Sequence, residues 1–170
     1  DSPPEKDVQW SEEGIASSFK FIQKLWNLNN IILNEITKDH EKDSDEELNK
    51  RTNKFLKDVT NNLEAFSYNK IIANFHELYS FLSKQINKPY KKNTLINNYQ
   101  KILITMMPVI PHFANECLTM INSDAVEWPI FDEKILKDEI SNIVVQINGK
   151  KRGLIQTKPN MSEENLFDII

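Results

Sequence analysis

The sequence predicts a mainly α protein: an antiparallel helical bundle followed by a β-hairpin that begins a truncated small α/β domain. Three observations predict it. Apolar residues recur at spacings of three and four through five successive segments between residues 12 and 121, as in helices that bury one face. Only 3 of 170 residues are Gly, which disfavours glycine-rich phosphate loops and most α/β designs. From Ile143 the spacing becomes two, and Asn148-Gly149, a strong hairpin-turn signal, follows.

The first helix starts at Ser11, an N-cap whose next residues, Glu12 and Glu13, face the positive end of the helix dipole. Ile15, Phe19, Ile22 and Trp26 predict its buried face, widened by Phe21, Leu25, Leu28 and Ile32. An acidic connection, "TKDHEKDSDEEL", leads to Ser44-Asp-Glu-Glu47, which has capping-box spacing for a second helix over 45–66. Phe55, Val59, Leu63 and Phe66 form the apolar face of that helix. Lys50, Lys54, Lys57 and Asn61 line another face at helical spacing. "FSYN" breaks the helix. A third turns Ile72, Phe75, Tyr79, Leu82 and Ile86 inward and ends before Pro89, and a fourth carries Leu95, Tyr99, Ile102, Leu103 and Met106. Pro111 suits the first turn of a fifth, where its missing N–H costs nothing.

Beyond Asp124 an acidic, proline-containing strap is expected. A hairpin then carries Ile143, Val145 and Ile147 on one strand and Leu154 and Ile155 on its return. Ser162-Glu163-Glu164 reads as the start of another helix. A lone hairpin is marginal in water and needs more sheet or a covering helix. The expected organisation is therefore a bundle over 1–123, a strap over 124–141 and the front of a small α/β domain over 142–170.

The composition, 39% hydrophobic and 27% charged, supports a buried core, and no apolar run is long enough to span a bilayer. The single cysteine excludes an internal disulfide and fits a reducing, cytoplasmic setting. The net charge of −4 hides a polarised distribution. No Asp or Glu lies between Glu77 and Glu116 or between Glu139 and Glu163, whereas Lys84, Lys88, Lys91, Lys92, Lys101, Lys150, Lys151, Arg152 and Lys158 do. Such segments make positive surface on an acidic protein or simply a solvated face.

His40, His76 and His112 are scattered and belong to no metal-binding spacing, so no metal site is expected. Cys117 reads as a buried structural thiol, and Trp10, Trp26 and Trp128, each set among apolar residues, as core packing rather than base stacking. No phosphate loop, dinucleotide fingerprint or nucleophile elbow occurs. No catalytic residue is expected, which leaves the basic side chains as functional candidates. Lysines aligned on helices suit phosphate contacts, and the hairpin tip Lys150-Lys151-Arg152 suits a phosphate or an exposed base.

Four stretches carry a family resemblance. "PPEKDVQWSEEGIASSFKFIQKLWN" resembles the junction where the class I catalytic core of bacterial leucyl-tRNA synthetases passes into the helical anticodon-binding domain. "NKFLKDVTNNLEAFSYNKIIANFHELYSFL" is similar to that family's second and third bundle helices, and "MMPVIPHFANECL" to its A-P-x-x-P-H-x-x-E-E-L-W segment. "WPIFDEKILKDEISNIVVQINGKKRGLI" resembles its W-P…V-V-Q-V-N-G-K-x-R-G entry into the C-terminal domain. Lys20 stands where the family usually has Arg, Ser17 where it has a second Gly, Asn53 where it has His and Leu118 where it has Trp. Lys20 keeps the charge but lacks the bidentate fork.

The resemblance implies an ATP-dependent ligase of protein biosynthesis that joins leucine to its tRNA. Its ATP and Mg would be bound by a catalytic core upstream of Asp1, and no cofactor by these residues. It further implies a cytoplasmic monomer whose partners are leucine-specific tRNA and the rest of the parent chain, with no membrane. The expected tRNA contacts are Lys20, Lys24, Lys50, Lys54 and Lys57 on the bundle and Lys150, Lys151 and Arg152 on the hairpin. The corresponding domain of a valyl or isoleucyl enzyme, and a non-catalytic scaffold that docks protein through its acidic strap, stand as alternatives.

Overall fold

The computed structural model describes residues 5–7, 10–38, 40, 45–136, 141–147 and 150–157. They form two compact units divided between Asp132 and Glu133. The first is a bundle of α1 (Glu12–Ile36), α2 (Asp45–Glu64), α3 (Tyr68–Gln85), α4 (Lys92–Met106) and α5 (Pro111–Met120). The second holds a four-residue helix, α6 (Glu133–Leu136), and an antiparallel hairpin, β1 (Ser141–Ile147) with β2 (Lys150–Thr157). The strap thus divides: 124–132 belong with the bundle, and a short helix follows where the sequence predicts no regular element.

In the bundle, α2 packs on α3 and α4, α5 on α4, and α1 on α3, α4 and α5. Leu56, Val59, Ile71, Phe75 and Leu103 sit at its fully buried centre. Ser11 caps α1 as expected, its Oγ accepting from the Gly14 N–H at 3.1 Å, and Pro111 opens α5. The expected inner face of α4 is buried throughout. The Ser44 cap, the Asn148-Gly149 turn and the helix expected after Ser162 lie outside the described residues.

Several apolar positions depart from expectation. In α1 the buried positions are Leu25, Leu28, Asn29, Ile32 and Glu35, whereas Ile15 and Phe19 are exposed. The core face is the one carried by the C-terminal half, where α4 and α5 supply neighbours. In α3 and at its C-cap, Phe75, Leu82 and Ile86 are buried as expected, but Ile71 and Leu78 are buried where Ile72 and Tyr79, half-buried, were expected. Phe66 does not extend the face of α2. Its backbone is left-handed (φ 52°) and its side chain 69% exposed. The Ser67 N–H bonds to the Asn62 carbonyl at 2.8 Å, closing a Schellman turn around it. Asn122 (φ 54°) ends α5 the same way, with the Ser123 N–H on the Leu118 carbonyl at 3.0 Å. Trp10 and Trp128 are exposed rather than core; only Trp26 is partly buried, edge-on to Phe113.

Polar side chains set the register between helices. The Tyr99 hydroxyl donates to Asn29 Oδ1 at 2.8 Å, joining α4 to α1, and Asn29 Nδ2 reaches Met120 Sδ in α5 at 3.4 Å. Asn98 Nδ2 donates to Asn49 Oδ1 at 2.7 Å between α4 and α2. Asn62 Nδ2 donates to Asn74 Oδ1 at 2.9 Å between α2 and α3. Buried amides of this kind penalise any slip, because a slipped partner leaves a donor or acceptor unmatched.

Candidate nucleic-acid interface

On α1, Lys20 and Lys24 are one turn apart, so their ammonium groups project from one side of the helix. Both are exposed, and neither has a carboxylate partner among the described residues. They form an open pair of point charges on a helix whose own acids stand at its two ends, Glu12 and Glu13 in the first turn and Glu35 in the last.

The lysine face of α2 is more crowded. Lys54 is exposed but ion-paired with Asp58 at 3.0 Å, one turn on. Lys50 and Lys57 are half-buried, and Lys57 Nζ lies 5.9 Å from the centre of the Phe131 ring. Phe131 belongs to the strap, which is fastened along this side of α2. Asp132 N–H donates to Asn53 Oδ1 at 2.7 Å, and Trp128 Nε1–H to Thr60 Oγ1 at 3.1 Å. The anchors 53, 57 and 60 ascend α2 as their strap partners 132, 131 and 128 descend. No local signal predicts this ladder; the one hint is Asn53, which stands where the resembled family has His. Its amide both accepts from the strap and donates to the Asn49 carbonyl at 2.8 Å. Arg51, which the sequence pattern does not single out, pairs with Glu77 of α3 at 3.2 Å with its guanidinium 5.9 Å from the Phe81 ring.

On the hairpin, the ladder pairs Val145 with Gly153 and Gln146 with Lys151, so Arg152 is the extra residue of a β-bulge. Arg152 is exposed. Lys150 and Lys151 open β2, with Lys150 paired to Ile147 of β1.

The remaining chemistry-bearing residues serve the bundle. Cys117 is buried against the Tyr99 hydroxyl, and burial, the largest effect, pushes its thiol up to about 11. Burial likewise raises the Tyr99 phenol well above its ordinary value, with Cys117 adding to the effect. A thiol held protonated is a poor nucleophile. The exposed His76 ring stacks on Phe21 at 3.8 Å, His40 lies 4.0 Å from Glu35, and His112 is exposed behind Pro111. Among the described residues, no group of three His, Cys, Asp or Glu side chains could hold a metal ion, and no helix is long and apolar enough to cross a membrane.

Residues 45–167 match the family model described as the anticodon-binding domain of tRNA ligase. The curated relatives include leucine–tRNA ligases of Thermosipho melanesiensis, 33% identical over 95% of this chain and 21% of the relative, and of Prochlorococcus marinus (strain NATL1A), 33% identical over 99% and 20%. The leucine–tRNA ligase of Bartonella quintana is 30% identical over 100% of this chain and 21% of its own length. The chain therefore spans about a fifth of the curated relatives it matches. Among solved structures it resembles, with a TM-score of 0.75 and 20% identity, the Agrobacterium radiobacter K84 LeuRS in a ternary complex with tRNA and LeuAMS; the match covers 95% of this chain and 22% of that one.

Proposed function

The chain belongs to the family of anticodon-binding domains of tRNA ligases, and on that premise we propose that it is the tRNA-positioning part of a leucine–tRNA ligase. The relatives named above, matched over 95% or more of the chain, support leucine over the valine and isoleucine alternatives. The parent protein would join leucine to its tRNA at the expense of ATP, in the cytoplasm and as a monomer, with its ATP and Mg bound outside these residues. The bundle and the hairpin contribute no catalytic group; they hold tRNA for the reaction.

The observation that carries the reading is the open Lys20–Lys24 pair on α1. Ammonium groups without a carboxylate partner, at a fixed separation of one helical turn, meet phosphates without first breaking an ion pair. They position a duplex or loop without reading its bases. Lys54 must leave Asp58 to do the same. Lys57 acts from beside the strap residue Phe131, and Lys50 from the same lysine face of α2. Lys150, Lys151 and Arg152 form a second contact, with Arg152 lifted out of register by the bulge and able to grip a phosphate with two donors.

The test is kinetic. In the full-length protein, Lys20→Ala with Lys24→Ala should raise KM for leucine tRNA severalfold and leave leucine-dependent ATP–pyrophosphate exchange unchanged. Charging of valine or isoleucine in place of leucine would replace the proposed substrate, and an unchanged KM would remove α1 from the interface.

A further inference from the structure

The apolar stripe of α1 has two fates. Ile15, Phe19, Ile22 and Trp26 follow one another at spacings of four, three and four, and so share one side of the helix. Its C-terminal half is covered: Ile22 and Trp26 are half-buried, and the Trp26 ring meets Phe113 of α5 edge-on at 6.2 Å. Its N-terminal half is bare, with Ile15 49% and Phe19 61% exposed. Trp10 precedes the N-cap, the position from which an apolar residue commonly packs on the fourth helical residue, here Ile15. At 82% exposure it does not cover that residue.

Residues 12–24 of α1 include no buried side chain. The tertiary hold on this half comes from Phe21, stacked on His76 at 3.8 Å and edge-on to Tyr79 at 5.9 Å, on another side of the helix. A free-standing helix of this length is marginal in water, and most helical stability comes from packing of the apolar face. The chain corresponds to 20–21% of its curated relatives, so some four-fifths of a relative's polypeptide is available to supply that packing.

We infer that Trp10, Ile15 and Phe19 are a docking surface for the catalytic body of the same polypeptide. This rests on the chain being part of a leucine–tRNA ligase. At about 100° per residue, Lys20 and Lys24 stand roughly 100–180° around α1 from Phe19 and Ile15. The same half-helix thus offers an apolar side to protein and a cationic side to RNA, and docking the first sets the angle of the second. Trp10, Ile15 and Phe19 are then protein contacts, and tRNA meets Lys20 and Lys24.

Thiol labelling tests this: in the 170-residue chain the one native cysteine, Cys117, is buried with a raised pKa, and labelling of the unsubstituted full-length protein is subtracted as its background. Phe19→Cys and, as control, Lys24→Cys are made both in the 170-residue chain and in the full-length protein from the same gene. Amide exchange over residues 15–22 of the unsubstituted proteins gives a second readout that needs no variant. The expected result is fast labelling at position 19 in the short chain, at least tenfold slower labelling in the full-length protein, and equal labelling at position 24. Slower amide exchange in the full-length protein should accompany it. Equal rates at position 19 overturn the inference. So does protection in the short chain that grows with its concentration, the mark of a second copy, or protection that appears only with added tRNA. A gene that ends with this chain removes the occupant and overturns it as well. Leucine charging by the same full-length preparation is read separately: protection without leucine charging refutes the assigned substrate and leaves the docking surface standing.

Discussion

Tyr99→Phe removes one oxygen from the junction of α1, α4 and α5. The hydroxyl donates to Asn29 Oδ1 at 2.8 Å, and both residues are buried, Asn29 completely. The variant strands an amide oxygen that water cannot reach, which costs about 1–3 kcal/mol, whereas an exposed hydrogen bond would cost little. For a protein of this size each kcal/mol lowers Tm by about 2–4 °C. Urea unfolding followed by helical circular dichroism measures the loss. Asn29→Leu with Tyr99→Phe replaces both partners by apolar groups and should cost less than the two single changes added, with a coupling of about 0.5–3 kcal/mol. Asn29 Nδ2 also meets Met120 Sδ at 3.4 Å, so part of the Asn29 loss lies outside the pair. A Tyr99→Phe variant as stable as the parent, or strictly additive single changes, would refute the claim that this bond fixes the junction.

Other consequences follow from the same geometry. Cys117 and Tyr99 have folded-state pKa values above their ordinary ones, so unfolding releases protons at high pH; stability should be full below about pH 9 and fall as pH rises through about 11. Urea midpoints across that range should show the decline, and Cys117→Ala should make it shallower. Phe66→Gly relieves an exposed left-handed residue and should stabilise by up to about 1 kcal/mol, read from the same unfolding curves. Asn53→Ala removes the acceptor of the Asp132 N–H and should cost about 1 kcal/mol, with faster hydrogen exchange at Asp132 than in the parent.

Most helices are legible in the sequence because their signals are local. Ser11, Pro111 and the period of α4 each act within a turn or two, and each behaves as its chemistry dictates. Which part of an apolar stripe is buried depends on neighbours far along the chain. Ile15 and Phe19 have the period of a core face but stand exposed, while Ile71 and Leu78 are buried beside the half-buried Ile72 and Tyr79. The α2 lysines show the same limit. Their alignment is readable at a spacing of three and four, but the strap from 128–132 that lies along Asn53, Lys57 and Thr60 is not. Lys20 and Lys24 are legible as a pair; that no acid of another helix among the described residues neutralises them is a tertiary fact.

Anisotropy of labelled leucine tRNA with this chain over a salt series tests the central claim most directly. With Lys20 and Lys24 as phosphate contacts, replacing both by Ala should weaken binding. It should also flatten the plot of log K against log salt by about 0.7–0.9 for each phosphate interaction removed, or about 1.4–1.8 for the two. Lys70→Ala, a change at an exposed lysine on α3, should leave the slope alone. Unchanged affinity and slope in the Lys20, Lys24 double variant would contradict the account of α1 as a tRNA-holding helix.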